Sequence, residues 1–97
     1  MKIQELRNGM RRVSITANIV EVSEPREVMT RFGENHRVAT AVIADDTGTI
    51  KLSLWDSTID QVKTGDSVQI ENGYVTAFRN ENQLNVGRFG KLTVLEK

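Results

Sequence analysis

More than a quarter of the chain branches at Cβ: eleven Val, seven Ile and nine Thr among 97 residues, against six Leu and five Ala. Branched side chains are stiff at χ1 in a helix and fit a pleated surface, so the chain is strand-rich. Its length holds one small domain, residues 1–97, because two would each sit near the ~40–50-residue floor for independent folding. A hydrophobic share of 38% is that of a globular chain. Cysteine is absent, which excludes disulfide scaffolds, thiolate zinc sites and thiol nucleophiles. No apolar run approaches ~18 residues and residues 1–20 lack a signal-peptide core, so no membrane role is expected and the default compartment is the cytoplasm.

The order of segments narrows the fold. Val13, Ile15, Ala17 and Ile19 alternate with Ser14, Thr16 and Asn18, and the phase then slips at Ile19-Val20. A one-residue slip inside a strand marks a bulge or sharp coil, which a small barrel needs where one strand serves two sides. Ser23-Glu24-Pro25-Arg26 breaks this strand, and residues 27–36 read as mixed, with a loop tip at Gly33-Glu34-Asn35. A second strand over 37–44 turns at Asp45-Asp46-Thr47-Gly48 into a third over 49–55. Asp56 to Thr64 reads as a short helix, with Asp56 or Ser57 as cap, Ile59 and Val62 inward and Gly65 just past its end. A fourth strand from Val68 to Ala77 is interrupted at Asn72-Gly73, Asn80-Glu81-Asn82 forms a hairpin tip, and 83–88 is a fifth strand. Leu92, Val94 and Leu95 end the chain as a short extended or helical cover. Three strands, one helix and two strands, with a bulged first strand, define an all-β, five-stranded OB-fold Greek-key barrel with the helix between strands 3 and 4.

Function is sought where side chains fall on the wrong side of the alternation. Trp55 shares parity with Lys51 and Ser53, opposite Ile50, Leu52 and Leu54. Tyr74 and Phe78 share parity with Thr76, opposite Val75 and Ala77. One strand tryptophan alone would be core, but three rings displaced by one rule predict an exposed platform on which unpaired bases stack. The net charge is zero, so affinity for a polyanion must come from local placement. Residues 45–72 carry a net −4 and both flanking segments +2, with the acidic stretch on the turn and helix away from the groove. Lys51 lies on the aromatic face, and Arg31, Arg37, Arg79 and Arg88 are placed to rim it. The pairs Arg31-Phe32 and Arg88-Phe89 each suit either base stacking from a loop or packing over a barrel end.

Signals for catalysis are poor. Asp45-Asp46 before Thr47-Gly48 is turn chemistry rather than a metal site. A lone His36 supports neither a histidine cluster nor a Ser-His-Asp set, and Gly87 to Leu92 lacks phosphate-loop spacing. The expectation is no enzyme, no metal and no cofactor.

Gly9-Met10, Glu24-Pro25-Arg26-Glu27, Ala44 to Leu52, Leu54-Trp55-Asp56, Gly65-Asp66, Ile70 to Val75 and Leu84 to Arg88 resemble archaeal single-stranded-DNA-binding OB domains. That family includes archaeal replication protein A and short archaeal binding proteins. The resemblance implies single-stranded DNA as ligand, replication or repair as setting, a nucleoid-associated location, and base stacking by the residues matching Trp55, Tyr74 and Phe78. Some relatives carry a further aromatic where this chain has Asn85. The likeness also fits one module of a longer replication protein A, partnered by other OB domains or replication and repair proteins. A single barrel with three rings would cover about four to five nucleotides. Two other readings share the fold: a protein-interaction OB module, favoured by zero net charge and by aromatics of the kind found in interface cores, and an RNA-binding OB domain.

Overall fold

The computed structural model describes residues 2–29, 31–78 and 80–95; the side chains of Ser57, Phe78, Arg88 and Phe89 lie outside that description. A 3-10 turn (Ile3–Glu5) precedes β1 (Val13–Val22), β2 (Arg26–Met29), β3 (Asn35–Asp45), β4 (Gly48–Trp55), α1 (Ser57–Gln61), β5 (Ser67–Phe78) and β6 (Glu81–Leu95). The strands run β1-β5-β6-β4-β3-β2, and pairing of β1 with β3 closes the first five into the OB barrel.

The slip in β1 is the device that closes it. Residues 13–18 pair with β5 and residues 18–22 with β3, with the register shifting between Ile19 and Glu21. Val20 falls in that shift and is exposed, whereas Val13, Ile15, Ala17 and Ile19 are buried. The α1–β5 connection zips onto the bulge: Gly65 N–H donates to the Ile19 carbonyl at 2.8 Å, and Ile19 N–H to the Asp66 carbonyl at 2.7 Å. The core is made by alternating residues of every barrel strand, with Ile43, Leu52, Leu54, Ile70 and Leu84 fully enclosed and Ile59 and Val62 plugging one end. At the interrupted strand the expected irregularity is present, since registers shift around Glu71 and Gly73. Gly73 suits a close approach there, because a Cβ would sit 3.0 Å from the Asn85 carbonyl oxygen and 3.3 Å from Ile70 and Leu84, and the sheet would have to give way.

Several expectations need correction. Residues 27–36, read as mixed, hold a strand that the sequence count of five missed: β2 pairs with the start of β3, Arg26 opposite Val38 through Met29 opposite Asn35, adding a sixth strand outside the closed barrel. Of the extended and helical alternatives for Leu92 to Leu95 the extended one holds, but as part of the last strand and not as a cover, for Leu92 and Leu95 continue β6 opposite Ile70 and Ser67. What hid this is a bulge: Val86 faces Gly73 and Lys91 faces Glu71, so residues 87–90 stand against Asn72 alone. Ala77 is exposed rather than inward, near the tip where it pairs with Asn82. The helix is five residues, not nine, and Val62 is already extended. Asp56 occupies the N-cap position without a side-chain cap bond, because its carboxylate is taken by β3.

Candidate nucleic-acid interface

Strand pairing lays the outward side chains in rows. Tyr74, Asn85, Ser53 and Thr40 are successive partners across β5, β6, β4 and β3, and Thr76, Gln83, Lys51 and Val42 form the next row. A third row begins at Trp55 and runs through Val38 to Arg26 on β2. Trp55 is 45% and Tyr74 40% exposed, while their neighbours Leu54 and Val75 are buried. Both rings therefore face solvent on one surface. Two strand spacings separate β4 from β5, about 10 Å laterally, so the rings are not in contact and would meet different bases.

Between the rings the surface is polar but uncharged. Gln83 Nε2 donates to Ser53 Oγ at 2.8 Å, and Asn85 Nδ2 donates to Thr76 Oγ1 at 3.1 Å. Asn85 Nδ2 also donates to the Gln83 backbone carbonyl at 3.3 Å, so these bonds fix both amides and leave their side-chain oxygens as acceptors. Beside this strip a cleft of about 690 Å³ runs from Trp55, Lys51 and Ser53 over Val38 and Thr40 to Arg26 and Val28 of the β2–β3 hairpin, with Glu81, Asn82 and Gln83 on its far wall. Ser23 and Glu24 close one end, where Ser23 Oγ accepts from Thr40 N–H at 2.9 Å.

One wall of Trp55 is held by His36. The imidazole meets the indole edge-on, ring centroids 6.4 Å apart at 75°. His36 is itself clamped, Nδ1 at 2.7 Å from Asp56 Oδ2 and Nε2 at 3.2 Å from Glu34 Oε2. The bond to Asp56, then that to Glu34, raise the His36 pKa above its ordinary value. Bonding from the Arg37 backbone N–H and then from His36 lowers that of Asp56. A raised histidine stabilises the fold fully below the ordinary value near 6.5, and this contribution is lost as pH rises through the raised folded value. Because the groups are partly exposed, the effect on stability is small. The ring resonances of His36 should titrate with a midpoint above 6.5, and Asp56→Asn should return it toward 6.5; a parent midpoint at or below 6.5 contradicts the clamp.

The proposed cations are spread. Lys51 lies on the aromatic face, its Nζ 2.8 Å from Glu81 Oε2. Arg31 stands exposed at the β2–β3 tip beside Phe32, which is 84% exposed and packs over no barrel end. Arg37 is not on the aromatic face: its guanidinium reaches α1, donating to Asp60 Oδ2 at 2.7 Å, and Asp60 raises its pKa. Arg79 lies outside the described residues, as do the side chains of Arg88 and Phe78. The amide-rich 80–83 hairpin, suited by its sequence to base edges or to solvent, brings Gln83 to the cleft. Other residues escaped the sequence: Arg26, Val28, Val38 and Thr40 line the cleft, and His36 braces Trp55. The parity rule applied to β3 would have found Val38 and Thr40; Arg26 needed the unrecognised strand β2. Asp45 behaves as turn chemistry requires. Burial pushes its carboxyl up, but donors from Thr47, Ile3 and Gly48 outweigh this and hold its pKa at about 2.

An OB barrel carrying aromatic rings and amides on its open sheet face defines a class, and the comparisons place the chain within it. The family model described as single-stranded DNA binding protein Ssb-like, OB fold, matches residues 6–94, so the chain belongs to that family. It is 36% identical over 91 residues to the single-stranded DNA binding protein Ssb of Saccharolobus solfataricus, covering 94% of this chain and 61% of that protein. It is 42% identical over 81 residues to replication factor A of Methanothermobacter thermautotrophicus, covering 82% of this chain and 10% of that protein. The chain thus spans less than two thirds of the length of either relative. Among solved structures, the second OB-fold domain of replication protein A from Methanococcus maripaludis superposes with a TM-score of 0.82 at 28% identity, covering 100% of this chain and 95% of that domain. Among the described residues no helix is long and apolar enough to cross a membrane.

Proposed function

We propose that this chain binds single-stranded DNA with little sequence preference, as one OB module serving DNA replication and repair at the nucleoid. The observation that carries the reading is the exposure of Trp55 and Tyr74 on one sheet face, flanked by amides instead of by an acidic or apolar surface. Every base offers a π-face, so rings of this kind accept any sequence, each stack contributing about 1–3 kcal/mol. Phe78, two residues on from Thr76, is the third ring of the proposed platform by the parity of the sequence. Lys51, Arg31, Arg79 and Arg88 steer the phosphates, joined by Arg26 at the cleft, while Arg37, turned to Asp60 on α1, takes no part. No bond is made or broken in this role, and no metal or cofactor is needed. Membership of the Ssb-like family and likeness to replication factor A support DNA as the ligand, and linked OB modules or other replication and repair proteins as partners. Titrating Trp55 emission with hexathymidine tests it. The reading expects quenching whose affinity weakens with salt, with a log-log slope of about −0.7 per phosphate neutralised. Unquenched emission with no binding at low salt contradicts it, and tighter binding to hexauridine would reassign the ligand to RNA.

A further inference from the structure

Lys51, the cation placed centrally on the proposed binding face, already holds an anion. Its Nζ is 2.8 Å from Glu81 Oε2, with the two side chains 51% and 62% exposed. The pair lowers the Glu81 pKa, so the carboxylate is charged at neutral pH. Glu81 is the first residue of β6, opposite Phe78 at the β5–β6 tip. The β4–β6 ladder starts at Lys51 opposite Gln83, so Glu81 lies two residues beyond the last hydrogen-bonded rung and reaches back to β4 by its side chain. Both residues border the Trp55 cleft and also the adjoining one of about 390 Å³ under Ile3 and Leu6. The ion pair thus stands as a partition between the two clefts.

We propose that Glu81 is an internal occupant of the phosphate position on Lys51, displaced when a single strand enters, and so a residue that lowers and tunes affinity. This inference rests on the single-stranded DNA reading above. An ammonium is a hydrated point charge with no geometric demand, so a phosphate oxygen replaces a carboxylate oxygen on it without rearranging the sheet. Exposed ion pairs are weak, which makes the exchange cheap. The displaced carboxylate nonetheless stays within a few ångströms of the incoming phosphate and repels it. Lys51 therefore contributes less to binding than its position allows, and the free groove is locally neutral.

The test is a double-mutant cycle on the full chain: parent, Glu81→Gln, Lys51→Gln and the double variant. Each is titrated with hexathymidine by Trp55 emission at low and moderate salt, with melting temperature checked. Glu81→Gln should tighten binding about three- to tenfold at low salt. It should also steepen the log-log salt slope by about 0.7, the contribution of one phosphate no longer offset by an internal pair. Lys51→Gln should cost more affinity in the Glu81→Gln background than in the parent, because there Lys51 has no competing partner. Equal costs in the two backgrounds, or weaker binding by Glu81→Gln at unchanged melting temperature, overturn the inference while leaving the DNA reading intact. Failure of the parent to bind overturns both.

Discussion

Alanine in place of Trp55 should lower affinity for hexathymidine by about 1–3 kcal/mol, roughly 5- to 150-fold, and barely move the melting temperature. The reasoning is geometric. The indole is 45% exposed, stands on the outward parity of β4 and touches the edge of His36 instead of filling the barrel. Removing it opens no enclosed cavity, so the stability cost stays under about 1 kcal/mol. What is lost is the flat surface on which a base would lie, at the mouth of the cleft that Val38, Thr40 and Arg26 continue. Parallel loss of binding and of the fold would place the ring in a structural role and remove the platform from the account.

Leu52→Ala should do the opposite. Leu52 is three positions from Trp55 on the same strand but opposite in parity, fully enclosed, and paired with Ala41 and Leu84 across the barrel. Truncation there removes buried methyl groups and leaves a void between strands that are locked by closure, costing about 2–5 kcal/mol. In a domain of this size that is a fall in melting temperature on the order of 10–25 °C. Affinity measured well below the transition should be nearly unchanged, since the polar strip and both rings remain in place. A melting temperature within a few degrees of the parent would contradict the assignment of the core.

The contrast between two residues three apart shows what the sequence could carry. Period-2 alternation separated Leu52 and Leu54 from Lys51, Ser53 and Trp55, and parity alone placed Tyr74 opposite Val75. The slip at Ile19-Val20 was equally readable, because a barrel this small requires its first strand to change partners. Strand β2 was not readable: of Arg-Glu-Val-Met only Val28 is even partly buried, so no alternation marks it, and its pairing to β3 comes from the hairpin and not from burial. The continuation of β6 was masked by Gly87 to Gly90, which looks like an ending but is a bulge. Charge partners were the least legible. Nothing in sequence spacing links Arg37 to Asp60, Lys51 to Glu81, or Asp56 to His36, for each pair spans 20 to 30 residues and is joined only when the sheet assembles. Trp55, Tyr74 and Lys51 were therefore legible from parity, and the carboxylates that partner the cations were not.

The central claim is that the open face of β5, β6, β4 and β3 is where a single strand lies. Amide chemical-shift mapping with hexathymidine reads it directly. Perturbations should cluster on Thr40, Lys51, Ser53, Trp55, Tyr74, Thr76, Gln83 and Asn85, with the Trp55 indole N–H among the most shifted. Shifts concentrated instead on α1 and the exposed side of β1, with the Trp55 and Tyr74 rows unmoved, would contradict it.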